Sequence, residues 1–464
     1  MAYNVPSLQI TQEFTQLPVF TDSPLAALII GPHKPIGAIT AITVDVAGSS
    51  YETAPTVVIT DTTGSGAEAI AVLVGDVVDS VTIVKGGSNY SSTPTVTFTG
   101  GGGSGATVDT VTVSSSHTIS QDYVGTIGSV GSVEEIIETF GDVEVANTLA
   151  YGLKAAVNNA AGTRVYYAAV DADDEEGYAA ALELAEKNNV YYGLVALTHD
   201  ATIQNDLVAH VYSMSAKEKA KWRTCWLSPA IATSGSTDEK ITDFLTKCTT
   251  AATVSGSGAN ANAGPRRVHN VFPDKYNNGD NVEVEGYFLA AALAGLRAGS
   301  VPHQSLTNTQ VIEPYYLTAT MSTYTEDQLD TLAAAGVWIV TQDKKGGSAY
   351  TRHQLTGDAT NLNYREDSVT ANVDSISYGL QSALAPYVGI YNISPASLLK
   401  IRTAVDNELS YRLTNTYTAR AGNQLLGYKI VSITQNATFQ DKVDVVVQLT
   451  VPYPMNYITV TLSI

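Results

Sequence analysis

The chain has 464 residues, a formal net charge of −20 and only 15% charged residues. That length exceeds what one hydrophobic core serves and predicts two to four domains. The acidic balance, without a Lys or Arg cluster, argues against the basic stripe that nucleic acid requires, and so few charges predict a Thr-, Ser-, Asn- and Tyr-rich surface, as in a chain largely covered by neighbours or in a secreted β-protein.

Cys225 and Cys248 make no disulfide framework, and Cys225, inside WRTCWLS, reads as a small core residue. The opening MAYNVPSLQI lacks a basic region followed by an apolar one, so no signal peptide is expected and synthesis in the cytoplasm is. No apolar run approaches the ~18 residues of a membrane span.

Residues Ser7 to Phe14 form a candidate strand, with Leu8, Ile10 and Phe14 on its apolar side and no hairpin partner nearby. Leu25 to Ile30 is a short apolar run closed by Gly31-Pro32, the pattern of a strand buried on both faces. Residues 36–113 change character: they are rich in Val, Thr, Gly and Ser and they repeat. AGSSYETAPTVVIT from Ala47 matches GGSNYSSTPTVTFT from Gly86, about 39 residues later, and Gly64-Ser-Gly-Ala67 matches Gly103-Ser-Gly-Ala106. Each copy reads as strand, Gly-x-x-Tyr turn, Pro-led strand, Gly-rich turn, strand. Excision would join Pro35 to about Ser114, so the segment reads as an inserted all-β domain of two repeats. Its Gly100–Gly105 run has no Gly-Lys-Ser/Thr and no following helix, so it reads as a turn rather than a phosphate loop.

From Ser132 the period changes. Ser132-Val-Glu-Glu135 is a capping box ahead of Ile136, Ile137 and Phe140, and a second helix is expected over about Val145–Asn158. Strands at Arg164–Val170, Val190–Leu197, Trp222–Leu227 and Val268–Phe272 then alternate with helices at Asp174–Lys187, Ala201–Tyr212, Thr237–Thr249 and Val282–Arg297. That alternation predicts a largely parallel sheet between helices. Lys217, Lys219 and Lys221, alternating with Glu218, read as a solvated helix face. Gly336–Thr341 is expected as a buried strand, Lys344–Gly347 as a turn and Tyr350–Leu355 as the partner strand. Asp367–Leu384 is expected helical. Ser394-Pro395 opens the last helix, with Leu398, Ile401, Val405, Leu409 and Leu413 as its buried stripe.

Strands follow at Tyr428–Ile433 and Val443–Val451. In Tyr457–Ile464 the residues Ile458, Val460, Leu462 and Ile464 alternate with polar ones, the period of a half-buried strand. Pro452 and Pro454 disfavour a tight hairpin with the preceding strand and are expected to act as a hinge. Unpaired strand edges are costly, so both terminal strands are expected to pair on another subunit.

Candidate chemistry is thin. Asp171 and Asp173 follow a strand, where parallel-sheet enzymes place carboxylates, but with Asp174 they fit helix capping better. His199-Asp200 has no Gly-x-Ser-x-Gly nucleophile to serve. His269, His303 and His353 stand apart in sequence, with no zinc spacing, and no Gly-x-Gly-x-x-Gly follows a strand. No catalytic residue, metal or cofactor is expected. The 26 tyrosines, against eight phenylalanines, point to interfaces, and each of the pairs 166/167, 191/192 and 315/316 is expected to bring one ring to a polar boundary.

Several segments together resemble the tail sheath proteins of contractile-tailed bacteriophages. They are Ser23–Pro32, the helix Glu285–Arg297 followed by Val301-Pro302, Gly336-Val-Trp-Ile with Tyr350–Leu355, and Gly427-Tyr-Lys-Ile with the ending Val451–Val460. The likeness covers roughly 1–35 and 117–464. Residues 36–113 depart from the family pattern, and their repeat reads as an outward-facing inserted all-β domain; around it the resemblance implies an α/β and α+β multidomain chain, with an N-terminal arm and first core strand (1–35), a central α/β domain (114–335) and a C-terminal α+β domain (336–464) ending in an exchanged strand. It implies a homo-oligomer of hexameric rings stacked into a helical sheath of the virion tail. Its partners would be a tail tube, a baseplate and a tail terminator, with no nucleic acid and no insertion into a membrane. Acidic groups on Asp367–Leu384 or the last helix are candidates to face the tube. A surface adhesion or carbohydrate-binding protein, suggested by the β-repeats, and an α/β enzyme using Asp171 and Asp173 are the competing readings.

Overall fold

The computed structural model describes residues 25–456, apart from 92–93, 217–218, 253–263 and 419–420, together with Ile458 and Val460. The chain begins with β1 (Ala27–Pro32), followed by β2 (Ile39–Ser49), β3 (Thr56–Thr60), β4 (Glu68–Val74), β5 (Val77–Lys85), β6 (Thr95–Thr99) and β7 (Ser104–Val113). Next come β8 (Ile127–Val130), α1 (Val133–Phe140), α2 (Thr148–Asn159), β9 (Val165–Val170), α3 (Glu175–Glu186), β10 (Gly193–Ala196) and α4 (Ala201–Ser215). They lead to β11 (Thr224–Leu227), α5 (Thr237–Ala252), β12 (Val268–Phe272), β13 (Lys275–Asn277), β14 (Glu283–Glu285) and α6 (Gly286–Ala298). After β15 (Gln310–Val311) and α7 (Glu326–Ala334) come β16 (Val337–Gln342), β17 (Ala349–Thr351), α8 (Asp367–Leu384) and α9 (Pro395–Thr414). The last elements are β18 (Thr416–Thr418), β19 (Gly422–Asn423), β20 (Gly427–Gln435) and β21 (Val443–Thr450).

A nine-stranded sheet in the order β15-β17-β16-β12-β11-β10-β1-β9-β8 forms the centre. The six strands from β16 to β9 are mutually parallel, and β8 and β17 run antiparallel at the two sides. β1 is fully buried because helices cover both faces. Ala27 and Ile29 join the core under α2 and α6, while Leu28 and Ile30 join the core under α3 and α4. The period of two thus holds within an apolar run that shows no polar alternation. Burying Leu28, Ile29 and Ile30 completely contributes about 1.5–3 kcal/mol each. The helices α2 and α6 approach so closely that a Cβ on Gly295 would stand 2.8 Å from the Ala156 Cα. The sheet runs through β16 and β17, across residue 336, where the sequence suggested a division.

Residues 39–113 form six strands, and the two repeats interlock rather than stack. β4 of the first copy pairs with β5 of the second, β7 of the second pairs with β2 of the first, and β3 pairs with β6 between them. The matching Tyr residues explain the repeat. Tyr51, buried, accepts a hydrogen bond from Ala106 N at 3.4 Å, and Tyr90 accepts one from Ala67 N at 3.1 Å. Each ring therefore sits in the Gly-Ser-Gly-Ala loop of the other copy. A Cβ on Gly103 would lie 2.6 Å from Tyr51 Cγ. The ends of the segment meet: Gly37 N donates to Ser114 O at 3.0 Å, and Ser114 N to Ala38 O at 2.8 Å. Gly86 N donates to the buried Asp122 carboxylate at 3.0 Å and holds the segment to the body.

Three expectations change in detail. The segment expected as the start of the 282–297 helix is β14, paired with β13, and α6 begins at Gly286. α4 ends at Ser215, so Lys219 and Lys221 lie beyond the helix; Lys219 pairs with Glu186 and Lys221 donates to the Glu186 carbonyl at 3.0 Å. Lys217 and Glu218 lie outside the described residues. The strand that follows the turn is only Ala349–Thr351; Arg352 N still donates to Ile339 O at 2.8 Å, and Gln354 and Leu355 then meet Asp367 and Glu366 at the start of α8. Among the described residues no helix is long and apolar enough to cross a membrane.

Candidate assembly surface

The C-terminal part is a two-layer unit. Ser394 caps α9 in a reciprocal box with Ser397, and Pro395 occupies the first helical position, as the sequence predicts. Val405 and Leu409 are buried, with Ile401 and Leu413 half-buried beside them, against Ile376 of α8. Tyr428, Ile430, Val445, Val447 and Leu449 of the β20–β21 ribbon cover the same core. α9 packs on β20. The ribbon is a sheet of two strands, so among the described residues each strand keeps one edge without a ladder partner. Two strands alone are marginal in water, and such edges are templates for pairing. Val431 and Val446, 48% and 47% exposed, lie on the outer face.

α8 fixes this unit to the central sheet through two buried carboxylates on one helix face. Asp374 receives two hydrogen bonds from Arg267, at 2.7 and 2.9 Å, and a third from the Tyr192 hydroxyl at 2.9 Å. Asp367 binds Arg297 of α6 at 2.8 Å and lies 3.2 Å from His269 Nε2. Burial opposes the charge on Asp367, but Arg297 and His269 together outweigh it and hold the carboxyl below its usual value. Burial also works against the Arg267 charge; Asp374 overcomes it and leaves the guanidinium above its ordinary value. These acids therefore do not face outward toward a tube, contrary to one expectation for Asp367–Leu384. Tyr191 and Tyr192 are both fully buried, so this pair departs from the expected polar boundary; its hydroxyls reach Ala185 O at 2.6 Å and Asp374 instead.

Beyond β21 the chain follows the start of α8. The Tyr453 hydroxyl donates to Asn363 Oδ1 at 2.6 Å. Asn456 Nδ2 donates to Glu366 Oε1 at 3.0 Å and stands 3.0 Å from His353 Nε2, which itself lies 2.8 Å from the same Glu366 oxygen. Glu366 is 2% exposed. Pro452 and Pro454, the expected hinge, thus lie inside a stretch anchored on both sides. Past the anchor Ile458 and Val460 are 77% and 74% exposed, apolar and in no strand. Leu8, Ile10, Phe14, Leu462 and Ile464, the other expected pairing residues, lie outside the described residues.

A second feature flanks β21. An apolar cavity of about 230 Å³ opens there, lined by Leu384, Tyr387, Tyr391 and Ile393 from the end of α8 and the following connector, and by Val443 and Val445 of β21. Val388, in the lining, is 77% exposed, and Ser397 and Asp441 add polar groups to the wall.

Asp173, Asp174, His199, Asp200 and His303 have structural partners. Asp174 caps α3 by accepting from Gly177 N at 3.0 Å, and Asp173 pairs with Lys34 at 2.9 Å. Asp200 caps α4 through Thr202 N at 2.8 Å, and His199 Nε2 lies 3.0 Å from Glu285. His303 Nε2 contacts Gly422 O at 3.0 Å. Among the described residues no group of three His, Cys, Asp or Glu side chains could hold a metal.

No family model matches the sequence, and no curated protein does. Solved structures do match. The helical sheath of the anti-feeding prophage in its contracted state aligns over 100% of this chain and 99% of its own, at 14% identity and a TM-score of 0.57. The chain has a contractile-sheath fold. The sheath complex of an extracellular contractile injection system, PVC, in its contracted state aligns over 74% of this chain and 88% of its own, at 13% identity and a TM-score of 0.53. A chain of the anti-feeding prophage baseplate gives the same coverage and score at 17% identity. The mixed architecture expected from the sequence, a parallel-centred sheet with smaller antiparallel sheets, is thus that of a sheath-fold chain. Sequence reasoning missed the open ribbon, the α8 ion pairs and the Asn456 anchor. Asp367 and Asp374, seven residues apart on one helix face, were the available signal.

Proposed function

We propose that the chain is a structural subunit of a contractile tail sheath or related injection system. It polymerises as stacked hexameric rings around a tube, between a baseplate and a terminator, and contracts to drive the tube through the target envelope. The observation that carries this reading is the likeness along the whole chain to a helical sheath subunit. The β20–β21 ribbon supports it: two strand edges without a ladder partner among the described residues suit the addition of terminal strands, Ser7–Phe14 and Tyr457–Ile464, from neighbouring copies. Backbone hydrogen bonds of that kind hold copies together while their bodies rotate. Head-to-tail contacts of this sort propagate into open helices. Contraction then draws on energy stored in the extended lattice, and no residue is assigned to catalysis. Residues 36–113 act as an inserted domain outside the lattice contacts, since their ends meet at Gly37 and Ser114. Electron microscopy of the purified full chain tests the reading. Hollow tubes are expected; a uniformly monomeric particle at high concentration would refute it.

A further inference from the structure

The inserted domain has one broad face that no described residue covers. In β3 and β6 the side chains of Val57, Ile59, Val96 and Phe98 turn into the domain's own cores, so the alternate residues point outward. These are Thr56, Thr60, Thr95, Thr97 and Thr99, all exposed, with Val58 half-buried among them. The register sets them in three rows: Thr56 beside Thr99, Val58 beside Thr97 and Thr60 beside Thr95. Positions in the array recur at about 6.8 Å along a strand and about 4.8 Å across. Thr56 also pairs with Ile70 of β4, which carries the face on to Ile70, Val72 and Val74, all exposed. The one charge at the outward positions of β3, β4 and β6 is Glu68, at the end of β4, paired with Lys85 at 2.7 Å. The β2–β7 pair, by contrast, exposes Asp45 and Asp109.

We propose that this face binds a neutral polysaccharide. A chain of net charge −20 repels anionic partners, and the face offers no cation to offset that. Protein interfaces centre on Trp, Tyr, Met and Arg anchors, and the outward positions hold none. Threonine instead pairs a methyl with a hydroxyl that both donates and accepts, which matches the C–H faces and hydroxyl edges of a sugar ring. The hydroxyls of Thr56, Thr95 and Thr97 meet solvent, while Ile70 and Val72 extend the apolar surface. The array is also two-fold symmetric. Val58 pairs with Thr97, which holds the same place in the second repeat. The Thr60 hydroxyl donates to Thr95 O at 3.4 Å and the Thr99 hydroxyl to Thr56 O at 3.5 Å, the same bond in the two repeats. The array therefore reads alike in both directions, as suits a ligand of repeating units. A second copy fits less well, because head-to-tail copies cannot lay a face on its own equivalent without a two-fold axis.

The test uses the full chain on immobilised neutral hexose polymers (dextran, mannan and a β-glucan) beside anionic alginate. Thr97→Glu puts a carboxylate at the centre of the array, at an exposed position outside the core, and Thr112→Glu does the same on β7, away from the face. Wild type and T112E are expected to be retained on a neutral polymer, and T97E to bind at least about tenfold more weakly, because its carboxylate loses water against an uncharged ligand. Wild type retained on no neutral polymer, or on alginate alone, would overturn the proposal, as would equal retention of T97E. A dimer in sedimentation that T97E abolishes, without retention, would overturn it by giving the face to a second copy. Tubes are imaged from the same preparations, so the polysaccharide face can fail while the sheath reading stands.

Discussion

Replacing Arg267 by Met removes the partner of a carboxylate that has almost no access to water. Arg267 is fully buried and the Asp374 side chain is 2% exposed, with two hydrogen bonds at 2.7 and 2.9 Å joining them. After R267M, Asp374 keeps the Tyr192 hydroxyl at 2.9 Å, which cannot replace a full charge. Stranding one member of a buried pair costs about 3–5 kcal/mol. That loss falls on the docking of α8, so its amides should exchange roughly two to four orders of magnitude faster. Hydrogen exchange read by mass spectrometry on peptides from Asp367–Leu384 measures it. The double variant R267M/D374L removes both charges and is expected to recover part of the protection, short of wild type because the buried Tyr192 hydroxyl loses its acceptor. Less than tenfold acceleration in the single variant, or a double variant as labile as the single, would refute the assignment of this pair as the attachment of α8.

Four further outcomes are expected. His33 is held at about 4, below its usual 6.5, chiefly by burial, with the Phe140 carbonyl acting the other way. The unfolded chain therefore takes up a proton at His33 first, and stability falls as pH drops from 6.5 toward 4, by about 3 kcal/mol from this group; the acid side of a thermal-stability profile should flatten in His33→Gln. Gly103→Ala should destabilise the repeat segment by about 1–3 kcal/mol, since the new methyl meets Tyr51 at 2.6 Å; equal local exchange in wild type and variant would show that the loop simply gives way. Removal of residues 457–464 should leave a folded protomer that forms no tubes, and unfolding on circular dichroism would instead place that segment in its own core. Deletion of 36–113 with Pro35 joined to Ser114 should spare tube formation, and loss of tubes by microscopy from a folded variant would put the repeats in the lattice.

The sequence alone determined the elements whose cause is local. Ser394-Pro395 set the start of α9, Ser132 the start of α1, and the unbroken apolar run before Gly31-Pro32 set a strand buried on both faces. The repeat was also legible, because two copies of Gly-x-x-Tyr and Gly-Ser-Gly-Ala stand in the same order. How the copies interlock was legible only in part: the Gly75-Asp76 link marks β4 and β5 as a hairpin, but β7 carries no local mark that it pairs with β2, about 60 residues earlier. Only the tertiary structure decided the rest. A carboxylate reads the same in sequence whether it caps a helix, meets solvent or finds a guanidinium, so Asp367 and Asp374 became buried partners only once α6 and the Pro265–Arg267 turn were placed beside α8. The prolines at 452 and 454 looked like a hinge from chain geometry. The anchor that follows them, Asn456 on Glu366 and His353, joins residues about 90 and 103 positions apart, a distance that no local pattern encodes.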